Sequence, residues 1–120
     1  MDIDSDAFYG EIIADKKLLN QVMINLINNS LDAVMEKEGE RNIEIKIFRN
    51  SLNRIIIKIS NNGPVIPGEL LEKIFVPFFT TKKGGSGVGL SISQEIMKMH
   101  NGSIVAISSE ESPTCFILEF

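Results

Sequence analysis

Gln21, Asn25 and Asn29 recur at four-residue spacing in this 120-residue chain, and Asp32 and Glu36 continue the series. On a helix these residues stack along one side. Asn is a mediocre helix former, roughly half a kcal/mol worse than Ala per position, because its short amide competes for backbone hydrogen bonds. An ordinary solvated face would use Glu, Lys or Arg, yet Asn25, Asn28 and Asn29 crowd into five positions. A carboxamide oxygen can ligate a hard cation without adding charge, so the stripe suits the floor of a site for a charged ligand. Asn25 and Asn28 serve equally well as caps or solvated positions, and the helix alone does not choose between the two roles.

A second stretch, GGSGVGLS at 84–91, places glycines at 85, 87 and 89. Successive backbone N–H groups can then point into one concavity, and a helix starting there adds its free amides and the positive end of its dipole. That is the chemistry of a polyphosphate cradle. A flexible linker would also be rich in glycine, but it would not run straight into the helical spacing of Val88, Leu90, Ile92 and Ile96. The stretch is neither a P-loop, because no Gly-Lys-Ser/Thr ends it, nor a dinucleotide fingerprint, because no strand precedes it. Lys82 and Lys83 stand ready to offset phosphate charge. Mg²⁺ held on nucleotide phosphates needs only one or two protein oxygens, and Asn29 suits that role.

The elements that must position these residues follow from periodicity. Val22, Met23, Leu26, Ile27, Leu31 and Val34 form an apolar face, and Asp15 is the expected N-cap of a helix over 16–37 that stops at Gly39. FYGEIIAD, after a short acidic lead, reads as an edge strand or extended arm. NIEIKIF at 42–48 and RIIIKIS at 54–60 predict a hairpin. NNGPVIP at 61–67 is a turn, GELLEKIF at 68–75 a short helix, and VPFFTTKKGGSGVG at 76–89 a long loop of the kind that carries function. A helix over 88–100 ends at Asn101-Gly102, and SIVAIS and TCFILEF supply two last strands. This order implies helices on one face of a sheet.

Composition narrows the function. At 43% hydrophobic and 23% charged, 120 residues make one domain with one core. A net charge of -4 argues against nucleic-acid or anionic-membrane surfaces, so an anionic ligand must be held locally. Cys115, the sole cysteine, reads as a reduced core residue, and neither a signal peptide nor an apolar span is present in the sequence. His100, the only histidine, falls at a helix end where packing or a dipole contact explains it.

Taken in order, NLINNSLDA at 25–33, NNGPVIP at 61–67, IFVPFFTTK at 74–82 and GSGVGLSIS at 85–93 resemble the N, G1, F and G2 boxes of the catalytic ATP-binding domain of bacterial sensor histidine kinases. The resemblance covers nearly the whole chain. It implies an α+β two-layer sandwich, the Bergerat fold, with a mixed, mostly antiparallel sheet and helices on one face. It implies a single catalytic domain over 1–120 that binds ATP and Mg²⁺ and donates the γ-phosphoryl group to a histidine on a separate dimerisation domain, with a response regulator downstream. No nucleic acid, no membrane contact and a cytoplasmic location are expected of the domain. The phosphoacceptor is expected outside this chain, so autophosphorylation in isolation is not.

Carried over, the resemblance makes Asn29 the Mg²⁺ ligand and Asn25 a second polar contact near the phosphates. It places Asn61 where the family usually has an Asp that reads adenine, and Gly63 in the following turn. Lys82, Gly85, Gly87, Val88, Gly89 and Leu90 complete the nucleotide-binding set, and Phe75, Phe78, Phe79 and Thr80-Thr81-Lys82 belong to the lid. The glycines predict that residues 77 to 88 are mobile without nucleotide and ordered by it. Three positions depart from the family: Asn61, Val65 in place of a Gly, and Pro113 near a usual Gly. Because either edge of the Asn61 carboxamide can face a base, weaker ATP binding and a blunted preference for adenine are expected, with Val65 recovering part of the loss by apolar contact, unless a rigid neighbour fixes the amide, which would preserve adenine selectivity. The rival readings are a gyrase-type ATPase, which Gln21 disfavours because an amide is no general base; an anti-sigma-type serine kinase, against which the PFFTTK lid sequence speaks; and a non-catalytic nucleotide-binding module.

Overall fold

The computed structural model describes residues 2–4, 15–79 and 88–120. Its elements are β1 (Asp2–Asp4), α1 (Lys16–Met35), β2 (Ile43–Arg49), β3 (Ile55–Asn61), α2 (Gly68–Leu71), α3 (Gly89–Met99), β4 (Ser103–Ile107) and β5 (Thr114–Glu119). The strands form one sheet in the order β1-β2-β3-β5-β4. β1 runs parallel to β2, and every other pairing is antiparallel. This is the expected α+β sandwich with a mixed, mostly antiparallel sheet.

Alternation decides which face of the sheet is covered. Ile43 and Ile45 of β2, and Thr114, Phe116 and Leu118 of β5, point inward, while Glu44 and Lys46 point out. The inward set packs against Val22, Leu26 and Val34 of α1 and Ile96 and Met97 of α3. β3, the central strand, buries Ile55, Ile56, Ile57 and Ile59 in a nearly continuous run, as a strand flanked on both sides should. On the opposite face, Lys58 Nζ lies 5.5 Å from the centroid of the Phe48 ring. No helix of the described residues is long and apolar enough to cross a membrane.

The ends of the helices are fixed by specific hydrogen bonds. Asp15 Oδ1 accepts from the N–H groups of Lys17 and Leu18, which makes Asp15 the N-cap expected from the sequence. At the far end of α3, Asn101 takes a left-handed φ of 58°. There the Asn101 N–H donates to the Lys98 carbonyl at 3.0 Å and the Gly102 N–H to Met97 at 2.8 Å, a Schellman closure. Gly102 must be glycine, because a Cβ there would run into the Glu119 carbonyl. His100 joins the two ends. Its Nδ1 donates to the Ile96 carbonyl at 2.8 Å, and its Nε2 accepts from the Asp15 N–H at 2.9 Å.

Several boundaries differ from those read in the sequence. The acidic lead forms β1, which sequence patterning missed because Asp-Ile-Asp carries one apolar residue and no turn signal. The arm expected at 8–15 lies outside the described residues except for Asp15. Only four residues of the expected helix over 68–75 are helical, and the chain continues as successive turns through Phe79. Cys115 is not a core residue: β5 buries Thr114, Phe116 and Leu118, so alternation turns Cys115, half-buried, to the opposite face of the sheet.

His100→Ala removes both bonds of the clasp between α1 and α3. It is expected to lower unfolding stability by roughly 1–2 kcal/mol without rearranging the sheet, as urea titration of both proteins would measure. Unchanged stability would show that the clasp carries nothing.

Candidate functional site

The carboxamide stripe of α1 meets the first turn of α3. Asn25 Nδ2 donates to the Gly89 carbonyl at 3.0 Å and to Ser93 Oγ at 3.1 Å, while Asn25 Oδ1 accepts from Gln21 Nε2 at 2.9 Å. Ser93, fully buried, donates in turn to the Gly89 carbonyl at 2.9 Å. Both amide hydrogens and the oxygen of Asn25 are therefore engaged within the protein. Its contribution to a ligand site is to hold the start of α3 against α1. Asn29 lies one turn further along the same stripe, half-buried. Ser30, on the buried side of the helix, has the one sealed side-chain oxygen or nitrogen without a hydrogen-bond partner among the described residues.

The two long helices begin differently. α1 is capped by Asp15, whereas α3 starts at Val88 with no side-chain cap. Ser91 Oγ donates to the Val88 carbonyl at 2.9 Å. Among the described residues, the eleven-residue helix thus offers its first N–H groups without a side-chain cap, next to the carboxamide of Asn25. That combination attracts an anion and suits a cation carried with it. Packing against α1 does not require glycine at 89, since a Cβ there would meet Asn25 Cγ at an ordinary 3.6 Å. The Leu90 side chain packs against the core, leaving its backbone for the site.

A third component is the corner after β3. Gly63 sits so close to α1 that a Cβ would lie 2.7 Å from the Ala33 carbonyl oxygen, so glycine is obligatory there. Asn61, only 2% exposed, accepts the Gly63 N–H on Oδ1 at 2.9 Å. Asn62 holds the other side of the corner: its Oδ1 accepts from the Asn42 N–H at 2.8 Å and its Nδ2 donates to the Glu40 carbonyl at 2.9 Å. Opposite Asn61 across the strand pair is Thr114. Thr114 Oγ1 bonds Ser108 Oγ at 2.7 Å, and Ser108 Oγ accepts the Ile66 N–H at 2.9 Å. Sequence reading found Asn61 and Gly63 but missed Asn62, Ser93, Ser108 and Thr114. The signals were available only for Asn62, in the doubled Asn at a strand end.

The structure brings Asn25 and Gly89 together at the α1–α3 contact, with Val88 and Leu90 flanking Gly89 in the chain and Asn29 one turn beyond Asn25 on α1, and sets Asn61 and Gly63 at the Ala33 end of α1. Lys82, Gly85 and Gly87, with Thr80 and Thr81, lie outside the described residues, as does most of the expected lid over 77–88. Phe75 packs against the core, while Phe78 is 79% exposed with a φ of 68°. The described residues contain no cluster of three His, Cys, Asp or Glu able to hold a metal ion. Mg²⁺ fits this donor set as an ion arriving on phosphates and touching one neutral carboxamide, not as a resident ion in a carboxylate cage.

A family model described as "Histidine kinase-, DNA gyrase B-, and HSP90-like ATPase" matches residues 14–120. The sensor protein kinase WalK of Staphylococcus haemolyticus is 39% identical over 124 residues, which cover 98% of this chain and 20% of WalK. The catalytic domain of histidine kinase ThkA in a nucleotide-free form superposes with a TM-score of 0.82 at 36% identity, covering 99% of this chain and 76% of that one. ThkA in complex with the response regulator protein TrrA gives a TM-score of 0.78 at 32% identity, covering 99% and 33%. The chain spans about a fifth of the length of WalK.

Asn25→Ala is expected to release the first turn of α3, at a cost of roughly 1–3 kcal/mol in stability. The accompanying rise in amide exchange should be confined to residues near 89–93. Asn25→Asp should cost a similar amount, because it sets an acceptor against the Gly89 carbonyl. Exchange in α3 identical to the native protein would remove Asn25 from this positioning role.

Proposed function

Because the chain belongs to the histidine kinase-, DNA gyrase B-, and HSP90-like ATPase family, we propose that it binds Mg-ATP as the catalytic domain of a two-component sensor histidine kinase. The observation that carries this reading is the N-terminus of α3, without a side-chain cap and pinned by Asn25, one turn before Asn29 on α1. Bare amides and a positive helix end receive phosphates, and the carboxamide oxygen of Asn29 receives the metal. Bound there, Mg²⁺ would supply charge neutralisation to the transferring phosphoryl group. Lys82, Gly85 and Gly87 add charge and backbone donors from the loop before α3. Asn61 and Gly63 receive the base.

Transfer, not hydrolysis, is what this chain's own groups favour. Gln21 stands one turn before Asn25 and is hydrogen-bonded to it. A neutral amide cannot take a proton from water. The acceptor is a histidine on a separate dimerisation domain, and a response regulator takes the group next. The solved ThkA–TrrA complex supports such a partner for a similar catalytic domain. A net charge of -4 supports neither nucleic acid nor an anionic membrane as a partner. We place the domain in the cytoplasm with its parent kinase, which is anchored or free.

The test is phosphoryl transfer from labelled Mg-ATP to a helical, His-bearing dimerisation domain supplied in trans. Label is expected on that domain's histidine and not on the chain alone. Asn29→Ala should weaken Mg-ATP binding about tenfold or more, which corresponds to about 1.4 kcal/mol. Asn29→Asp separates loss of the oxygen from addition of charge. Equal Mg-ATP affinity in native protein and Asn29→Ala would take Asn29 out of the metal site.

A further inference from the structure

Asn61 has a fixed amide orientation. Its Oδ1 is committed to the Gly63 N–H at 2.9 Å, and Gly63 cannot retreat, because its backbone rests on Ala33 of α1. Asn62 holds the corner from the other side through Asn42 and Glu40. A flipped carboxamide would set its NH₂ against the Gly63 N–H, donor against donor. The expectation that either edge of Asn61 can face a base is therefore corrected. A rigid neighbour sets the amide, and it sets Nδ2 as the outward group.

That Nδ2 has no hydrogen-bond partner among the described residues. Ser30 Oγ is the one sealed side-chain atom in that condition among the described residues, so the Asn61 amide nitrogen, on a residue only 2% exposed, is not fully sealed. A carboxylate in the same place would take the Gly63 N–H on one oxygen and still offer an acceptor with the other. The carboxamide offers a donor. An adenine amino group would meet it donor to donor, whereas the 6-carbonyl of guanine or hypoxanthine would accept from it.

Resting on the reading of this site as a nucleotide pocket, we propose that Asn61 presents a hydrogen-bond donor to the purine 6-position, so that the site takes 6-oxopurine nucleotides at least as well as ATP. Inosine triphosphate is the decisive probe, since it differs from ATP in the 6-substituent and its adjacent ring proton and lacks the 2-amino group of guanine. Calorimetry with Mg-ATP, Mg-ITP and Mg-GTP on the native chain is expected to give an ITP affinity equal to or tighter than that for ATP. Asn61→Asp should swing the ATP-to-ITP ratio toward ATP by about tenfold or more, and Asn61→Ala should weaken ITP binding. The native ratio decides even where a variant folds poorly. A native preference for ATP over ITP of tenfold or more, or a ratio that Asn61→Asp leaves unmoved, overturns the donor assignment while the nucleotide pocket stands. Absence of binding by all three nucleotides overturns the pocket and the donor assignment together.

Discussion

The structure turns on the carboxamide of Asn25. Two amphipathic helices lie side by side on one face of a sheet, and apolar packing through Val22, Leu26, Ile96 and Met97 fixes their distance but not their sliding. Dispersion and burial are non-directional. Two hydrogen bonds from one planar amide, to the Gly89 carbonyl and to Ser93 Oγ, are directional and fix where α3 begins relative to α1. Ser93 is fully buried and bonds the same carbonyl, so the contact is closed on itself and exchanges no partner with solvent. Everything that a ligand would meet at the helix start depends on that registration.

From it follows a division between parts that are saturated and parts that are not. Asn25, Asn62, Ser108 and Thr114 spend their polar atoms on the protein and make rigid corners. Among the described residues, the start of α3 has no side-chain cap and the Asn61 Nδ2 no hydrogen-bond partner. Buried polar groups are normally satisfied, so leftover ones in an otherwise closed network are informative in a way that exposed ones are not. Gly63 shows the same logic in steric form. It gives up a side chain so that the corner can sit on Ala33, and the seat then dictates which atom of Asn61 is left outward.

Much of this was legible in the sequence, for identifiable reasons. The helices and the hairpin follow from spacing, the Asp15 cap from its residue type, and the α3 terminus from Asn101-Gly102, because each depends on neighbours within a few positions. β1 was not legible, since three residues pair in parallel with a strand some forty positions away and carry no local pattern. Asn25 was legible as an unusual residue but not as a clasp, because its partners lie 64 and 68 positions away. Cys115 was misplaced for a related reason. Its apolar neighbours suggested burial, but period-two alternation on β5 assigns it to the other face. The orientation of Asn61 depends on the contact between Gly63 and Ala33, which no local rule encodes.

The same carboxamides bear on whether such a site spends its nucleotide on water. A hydrolase needs a group that removes a proton from the attacking water, and that group must sit within about 3 Å of it with a basic lone pair. Gln21 offers an amide, and its Nε2 already donates to Asn25. Asp32 lies on the continuation of the stripe, past Asn29 and away from α3 along the helix, so its carboxylate is not placed at the first turn where phosphates would rest. Neither residue brings a base to the first turn of α3, so a nucleotide held there would wait for an external nucleophile. In chemical terms, the acceptor must bring its own basic lone pair, and a neutral imidazole nitrogen does so at physiological pH without needing to be deprotonated first. Gln21 and the placement of Asp32 thus agree with the proposed histidine acceptor, since both leave the proton-taking lone pair to the incoming group.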